Sequence, residues 1–146
     1  MRLNSYLFRD DWFLAAPANK VFATVVDLAE YPRWWSDVRS VSKIDEDTAE
    51  LVCQATLPYR LVLRMSRAEE DEPAGRLAVL LDGDLRGSLS ARVHRRPSGT
   101  LLQIRQEVEA TKPLLRRLAP VARPVFLLNH ALMMRRGHAG LRARLA

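Results

Sequence analysis

The feature that most constrains this chain is an alternation of apolar and polar residues sustained from about Val38 to Ala110. A period of two belongs to half-buried strands and to no helix. Leu51, Cys53, Ala55 and Leu57 alternate with Gln54 and Thr56, so Leu51–Leu57 reads as one strand. Leu61, Leu63 and Met65 alternate with Arg64 and Ser66, and Leu85, Leu89, Ala91 and Val93 with Arg86, Ser88, Ser90 and Arg92. Leu102, Ile104, Val108 and Ala110 form a further set, in which Gln106 is the one strongly polar residue on the apolar phase. Leu77–Leu81 is apolar at every position, so its facing cannot be read. Between these runs lie Asp45-Glu46-Asp47, Glu69–Gly75, Asp82-Gly83-Asp84 and Pro97-Ser98-Gly99, all with turn chemistry. Short turns between consecutive strands give an antiparallel meander rather than βαβ crossovers.

The flanks add a seventh strand and the helices. Leu3–Leu14 reads as a first strand ending at Ala15-Ala16-Pro17. Val21, Phe22, Val25, Val26 and Leu28 then recur at helical spacing behind Pro17, and the helix breaks ahead of Tyr31-Pro32. A second short helix is expected through Arg33–Ser36. After Lys112-Pro113 the pattern is helical, with Pro113, Pro120 and Pro124 making an irregular or kinked start. One long helix is expected from about Pro124 to Arg144. Phe126, His130, Met133, Gly137 and Leu141 share an arc of roughly 80° on it. A second apolar strip, Val125, Leu128 and Leu132, lies on the far side, so the helix must be clasped on both sides or cover a cavity with one.

Composition narrows the class. At 146 residues, with 48% hydrophobic and 27% charged, the chain matches one globular domain, taken as residues 1–146. A lone cysteine, Cys53, allows no intrachain disulfide, and the first 14 residues lack a signal-peptide core. No run approaches the roughly 20 apolar residues that span a bilayer, so a cytoplasmic location is expected. The formal charge of +6 comes from 23 basic residues, many of them late arginines: Arg116, Arg117, Arg123, Arg135, Arg136, Arg142 and Arg144. They are read as solvated faces rather than a nucleic-acid site, with Arg135, Arg136 and Arg142 as the wet outer strip of the last helix. His130 and His138 are eight apart, which does not place metal ligands on one helix face. There is no glycine-rich phosphate loop and no nucleophile elbow, and neither metal nor cofactor is expected.

Several stretches carry a resemblance. They are Ala16-Pro17-Ala18 with Val21-Phe22 and Asp27; Tyr31-Pro32-Arg33-Trp34; Gly99-Thr100; Arg123-Pro124-Val125-Phe126; Asn129-His130; Met133-Met134; Gly137; and Gly140-Leu141. Together with the element order, they make the whole chain resemble the START/SRPBCC superfamily, and within it the bacterial polyketide cyclase/dehydrase-like (lipid transport) family. The resemblance implies an α+β helix-grip fold, a seven-stranded curved antiparallel sheet wrapped around the C-terminal helix. It also implies a cavity between the two.

The residues independently point to such a cavity, because small residues (Ala55, Gly87, Ala91) punctuate the apolar phase and leave room for a ligand, the alternative being that these positions fill a dry core. The candidate ligand-binding set is Trp35, Cys53, Ala55, Leu61, Leu63, Met65, Leu89, Ala91, Ile104, Gln106, Phe126, His130 and Met133. His130 is the one natural acid–base candidate on the apolar helix face, though a hydrogen-bonded core histidine is the plainer reading. Gln106 either anchors a ligand or satisfies a backbone group. Cys53 reads as a small buried thiol, Trp34 as packing, and Trp35 as open between packing and stacking on a ligand. The leading function is a non-enzymatic binder or carrier of a lipid, isoprenoid or polyketide-like molecule. The alternatives are an aromatase/cyclase-type enzyme using the same cavity, and a basic accessory protein docking on a membrane or partner.

Overall fold

A computed structural model describes residues 5–57, 59–111, 113 and 119–146. The strands are β1 (Ser5–Leu14), β2 (Val38–Lys43), β3 (Thr48–Cys53), β4 (Leu61–Asp71), β5 (Arg76–Gly83), β6 (Leu85–Arg96) and β7 (Gly99–Ala110). All seven join one antiparallel sheet in the order β1-β7-β6-β5-β4-β3-β2. The meander is thus complete, and the sequence-distant first strand closes against the last. Between β1 and β2 lie α1 (Ala18–Val26), a 3₁₀ turn (Leu28–Glu30) and α2 (Tyr31–Trp34). The long helix α3 runs Ala119–Leu145. This is the expected helix-grip architecture. Residues 3 and 4 of the expected first strand, and Arg116 and Arg117, lie outside the described residues.

Register explains which face each strand buries. Ala91 on β6 stands opposite Leu77 on β5 and Ile104 on β7, so all three point to the concave side. The same phase brings in Leu81, which is buried, while Leu80 is exposed. That settles the facing of Leu77–Leu81: the odd residues are inward. A register shift between Val38 and Ser40 of β2 moves the inward phase from Val38 to Val41. A second shift, between Arg67 and Glu69 of β4, leaves Glu70 opposite Leu77. Such bulges bend a strand and help a sheet to curl. Gly87 of β6 lies where its strand meets β7 closely. Its φ is +152°, and a Cβ there would stand 1.9 Å from the Glu107 carbonyl oxygen. Its smallness therefore serves close strand approach rather than room for a ligand.

Four boundaries differ from expectation. The third strand ends at Cys53, so Ala55 and Leu57 lie beyond it in the connection to β4. Alternation continued past the strand because Gln54 and Thr56 are polar by coincidence with the phase. Helix α1 ends at Val26, and α2 begins at Tyr31 rather than Arg33, because Pro32 is accommodated in its first turn. Helix α3 starts at Ala119 and passes through Pro124 without breaking. Two clusters form the core. One joins Phe126 to Tyr6, Val38, Leu51, Leu63, Leu81 and Val108. The other joins Met134 and Leu141 to Trp12, Leu14, Val21, Trp34, Ala91 and Leu102. Each fully buried large side chain stabilises by roughly 1.5–3 kcal/mol.

Polar contacts lock the helices to the sheet. Thr100 is fully buried and donates its hydroxyl to the Ala16 carbonyl at 2.7 Å, tying β7 to the turn before α1. Arg136 forks onto Asp37 with contacts of 2.9, 3.1 and 2.6 Å, and Asp37 is only 2% exposed. Arg136 is therefore a clamp from α3 to the α2–β2 junction, not part of a purely solvated strip. Arg144 reaches Glu30 at 3.0 Å, and Arg123 donates to the Ser5 carbonyl at 2.9 Å while lying over the Tyr6 ring. Arg135 and Arg142 remain exposed, as expected. The far strip of α3 faces largely outward, with Val125 48% and Leu128 62% exposed and Leu132 partly buried. Among the described residues no helix is long and apolar enough to cross a membrane.

Candidate functional site

Because α3 lays its Phe126/His130/Met133 arc over a concave sheet, side chains from both must either interdigitate or leave a void. They leave a cavity of about 470 Å³. That is within the range of small-molecule sites. Its wall draws on the inward phases of β2 to β7, on α3, and on the Val25–Ala29 and Tyr31–Trp35 segments. Twelve of the expected residues border it: Trp35, Cys53, Leu61, Leu63, Met65, Leu89, Ala91, Ile104, Gln106, Phe126, His130 and Met133. Ala55 does not, since it sits past the end of β3. Sequence reasoning missed Val41, Leu51, Val79, Leu85 and Asn129 on the wall. The alternation of their strands was a usable signal for Leu51 and Leu85, whereas Val79 lies in a run apolar at every position and Val41 follows the register shift in β2.

The two polar residues singled out from sequence are partners of each other. His130 Nε2 and Gln106 Oε1 are 2.6 Å apart. The imidazole also stacks on Phe8, with ring centroids 3.6 Å apart and planes at 12°. Burial pushes the His130 pKa down to about 4, so the ring is neutral near pH 7. As a neutral ring it is a poor general acid at that pH. The pair leaves hydrogen-bonding capacity over. If Nε2–H donates to the amide oxygen, Nδ1 keeps a lone pair and the amide keeps its N–H groups. With the opposite tautomer and amide orientation, Nδ1–H is left as donor and the amide oxygen as acceptor.

Cys53 is buried, and burial, reinforced by the nearby Asp37 charge, pushes its thiol up to about 12. A protonated thiol is neither nucleophile nor metal ligand at neutral pH. Trp35 packs on the helix: its Nε1–H donates to the Met133 carbonyl at 3.0 Å, and its ring fills the notch at Gly137. It nevertheless presents part of its surface to the cavity. Trp34 lies in the core cluster below, where its carbonyl oxygen nests against Gly140. Asn129 holds the segment after β3, its Oδ1 accepting from the Thr56 and Leu57 amides at 3.0 and 3.1 Å. Met133 and Met134 both border the void, and Met134 is also buried in the core.

The cavity grades from apolar to charged. Deep positions are aliphatic and aromatic apart from the His130–Gln106 pair and Asn129. Towards the β2–β3 turn the wall becomes Lys43, Asp45, Glu46, Asp47, Arg67, Glu69 and Glu70, with Asp27 across from them on the α1 side. Arg67 is shared between Asp47 and Glu70 at 3.6 Å each.

Residues 14–126 match the profile of the family described as polyketide cyclase/dehydrase and lipid transport. Among curated proteins none matches the sequence significantly. Solved structures similar to this chain include a START superfamily protein from Mycobacterium smegmatis, at 18% identity and a TM-score of 0.69, covering 95% of this chain and 96% of that one. A protein of Thermus thermophilus gives 16% identity and a TM-score of 0.73, with 97% and 100% covered. The Zhui aromatase/cyclase from Streptomyces sp. R1128 gives 12% identity and a TM-score of 0.76, with 97% and 93% covered. Identities this low carry the fold and no activity. With the profile spanning most of a chain that folds as a helix grip, this protein belongs to the family described as polyketide cyclase/dehydrase and lipid transport.

Proposed function

We propose that the protein binds and carries a hydrophobic small molecule, of lipid, isoprenoid or polyketide-like chemistry, in the cavity between sheet and α3. The observation that carries this reading is a void of about 470 Å³ whose deep wall is apolar but for the neutral His130–Gln106 pair and Asn129. Affinity in such a site comes mainly from apolar burial, at about 25 cal/mol per Å². A cytoplasmic location belongs to the same proposal.

A cyclase-type reaction is the second reading, favoured by the likeness to an aromatase/cyclase and by a histidine on the wall. Against it stands the low proton affinity of His130 and the engagement of its Nε2 by Gln106. Extraction and mass spectrometry of whatever co-purifies with the protein, followed by incubation of that compound with wild type and His130→Gln, separates the two. A carrier returns the compound unchanged, and the variant keeps most of the affinity because glutamine retains a donor and an acceptor. Conversion by wild type with a loss of about 10²–10⁴ in the variant would replace the carrier by the enzyme.

A further inference from the structure

The cavity wall is polar both at depth, where Asn129 is engaged by the Thr56 and Leu57 amides and Gln106 faces His130, and in its outer part, and the two differ in kind. At depth, Gln106 and His130 satisfy each other once and, in either tautomer, have at least one donor and one acceptor left over at the wall. A hydroxyl group, itself donor and acceptor, matches that complement, and a carbonyl takes the donor alone. Neither partner brings a charge, since burial keeps the imidazole neutral. Among the described residues the cations bordering the cavity are Lys43 and Arg67, both in its charged outer part. There they meet six carboxylates, Asp27, Asp45, Glu46, Asp47, Glu69 and Glu70. Arg67 is already shared by two of them, and Glu69 has Arg76 beside it at 3.5 Å. A protein of formal charge +6 thus carries an acidic rim, an excess of exposed carboxylates, at the outer part of this cavity.

An anionic ligand has no good position here. Buried by the His130–Gln106 pair, it loses its hydration without gaining a counter-charge. Left at the rim, it stands among an excess of like charges. Resting on the ligand-binding reading above, we propose that the ligand is an uncharged, mostly apolar molecule whose buried end carries a hydroxyl or carbonyl group held by Gln106 and His130. Carboxylated analogues of the same skeleton are rejected at the acidic rim.

The test is competition against N-phenyl-1-naphthylamine, a neutral apolar fluorophore, with 1-dodecanol, 1-chlorododecane and dodecanoate at pH 7.5. Wild type is expected to bind the alcohol at least about tenfold more tightly than the carboxylate. The triple variant Glu46→Gln, Asp47→Asn, Glu70→Gln narrows that gap by raising dodecanoate affinity with dodecanol unchanged. Gln106→Met lowers dodecanol affinity about three- to tenfold, the worth of one neutral hydrogen bond, towards that of the chloride. Unchanged binding of the fluorophore certifies that this variant is folded, and His130→Leu serves in its place should it not be. Dodecanoate binding as tightly as dodecanol to wild type, or dodecanol affinity indifferent to both pair variants, overturns the inference while leaving a binding protein. So does a bound fluorophore that no competitor displaces. A protein that binds neither fluorophore nor any competitor removes the ligand-binding reading itself, and this inference with it.

Discussion

His130 is half-buried between Phe8 and the cavity, with Gln106 as its only polar partner among the described residues. Its proton affinity carries a consequence for stability. The folded pKa lies near 4 against an ordinary value of 6.5, because the charged ring would be desolvated. Above pH 6.5 both states hold it neutral and the contribution is intact; as pH falls from 6.5 towards 4 the unfolded chain takes up a proton that the folded one does not. The loss at pH 4 amounts to about 3 kcal/mol. Urea unfolding of wild type and His130→Gln at pH 7 and pH 4 isolates this group from the carboxylates, which titrate in both proteins. Wild type is expected to lose about 3 kcal/mol more than the variant across that interval; parallel losses would place the ring in a solvated, protonatable position. At this scale the sequence was legible where a residue violated its local pattern. Gln106 stood out on an apolar strand phase and His130 on an apolar helix arc, and both border the void. Ala55 was misread because alternation outlasted the strand that produced it. The Asp37–Arg136 clamp was not legible at all, since 99 residues separate the partners and no periodicity encodes which surface arginine finds a buried carboxylate.

Among the elements, the strands were read from period two and the last helix from its arc, while the unions between elements were not. Gly137 and Gly140 form a notch in α3 that receives Trp35 and Trp34 respectively. A Cβ on Gly140 would fall 1.7 Å from the Trp34 carbonyl oxygen, a backbone atom that cannot swing aside. Alanine is the better helix former by about 1 kcal/mol, yet overpacking of this kind typically costs about 1–3 kcal/mol or more. Gly140→Ala is therefore expected to lower stability by about 1–2 kcal/mol and to shift the midpoint of thermal unfolding downward. A rise in the midpoint would mean that α3 does not seat on α2 this closely. Two tryptophans in the α2 region and two small residues one helical turn apart in α3 are complementary features, but only the three-dimensional fold brings them face to face. The outer strip of α3 shows the same limit. Apolar residues on two sides left open whether both were clasped, and the fold covers only the arc that faces the sheet.

For the whole molecule, function depends on the space between the sheet and α3 being a binding site rather than a packing gap. Fold and family were legible in full because the meander, the helix order and the motifs agree with one another across the chain. The motifs prove to be mostly structural: Thr100 secures Ala16, Gly140 seats Trp34, and Asn129 holds the segment after β3. They specify the vessel and leave its contents to the wall. Ala91 sits on the concave phase of β6 between Leu77 and Ile104 and borders the void. Titration of wild type and Ala91→Trp with a neutral apolar fluorophore, with thermal unfolding recorded on the same samples, tests the claim most directly. The predicted result is saturable binding by wild type, lost by at least about tenfold in a variant that still unfolds cooperatively near the wild-type midpoint, because the indole fills space that is open. Absence of binding by wild type, together with a variant destabilised by several kcal/mol through overpacking, would contradict it and make the interior a filled core.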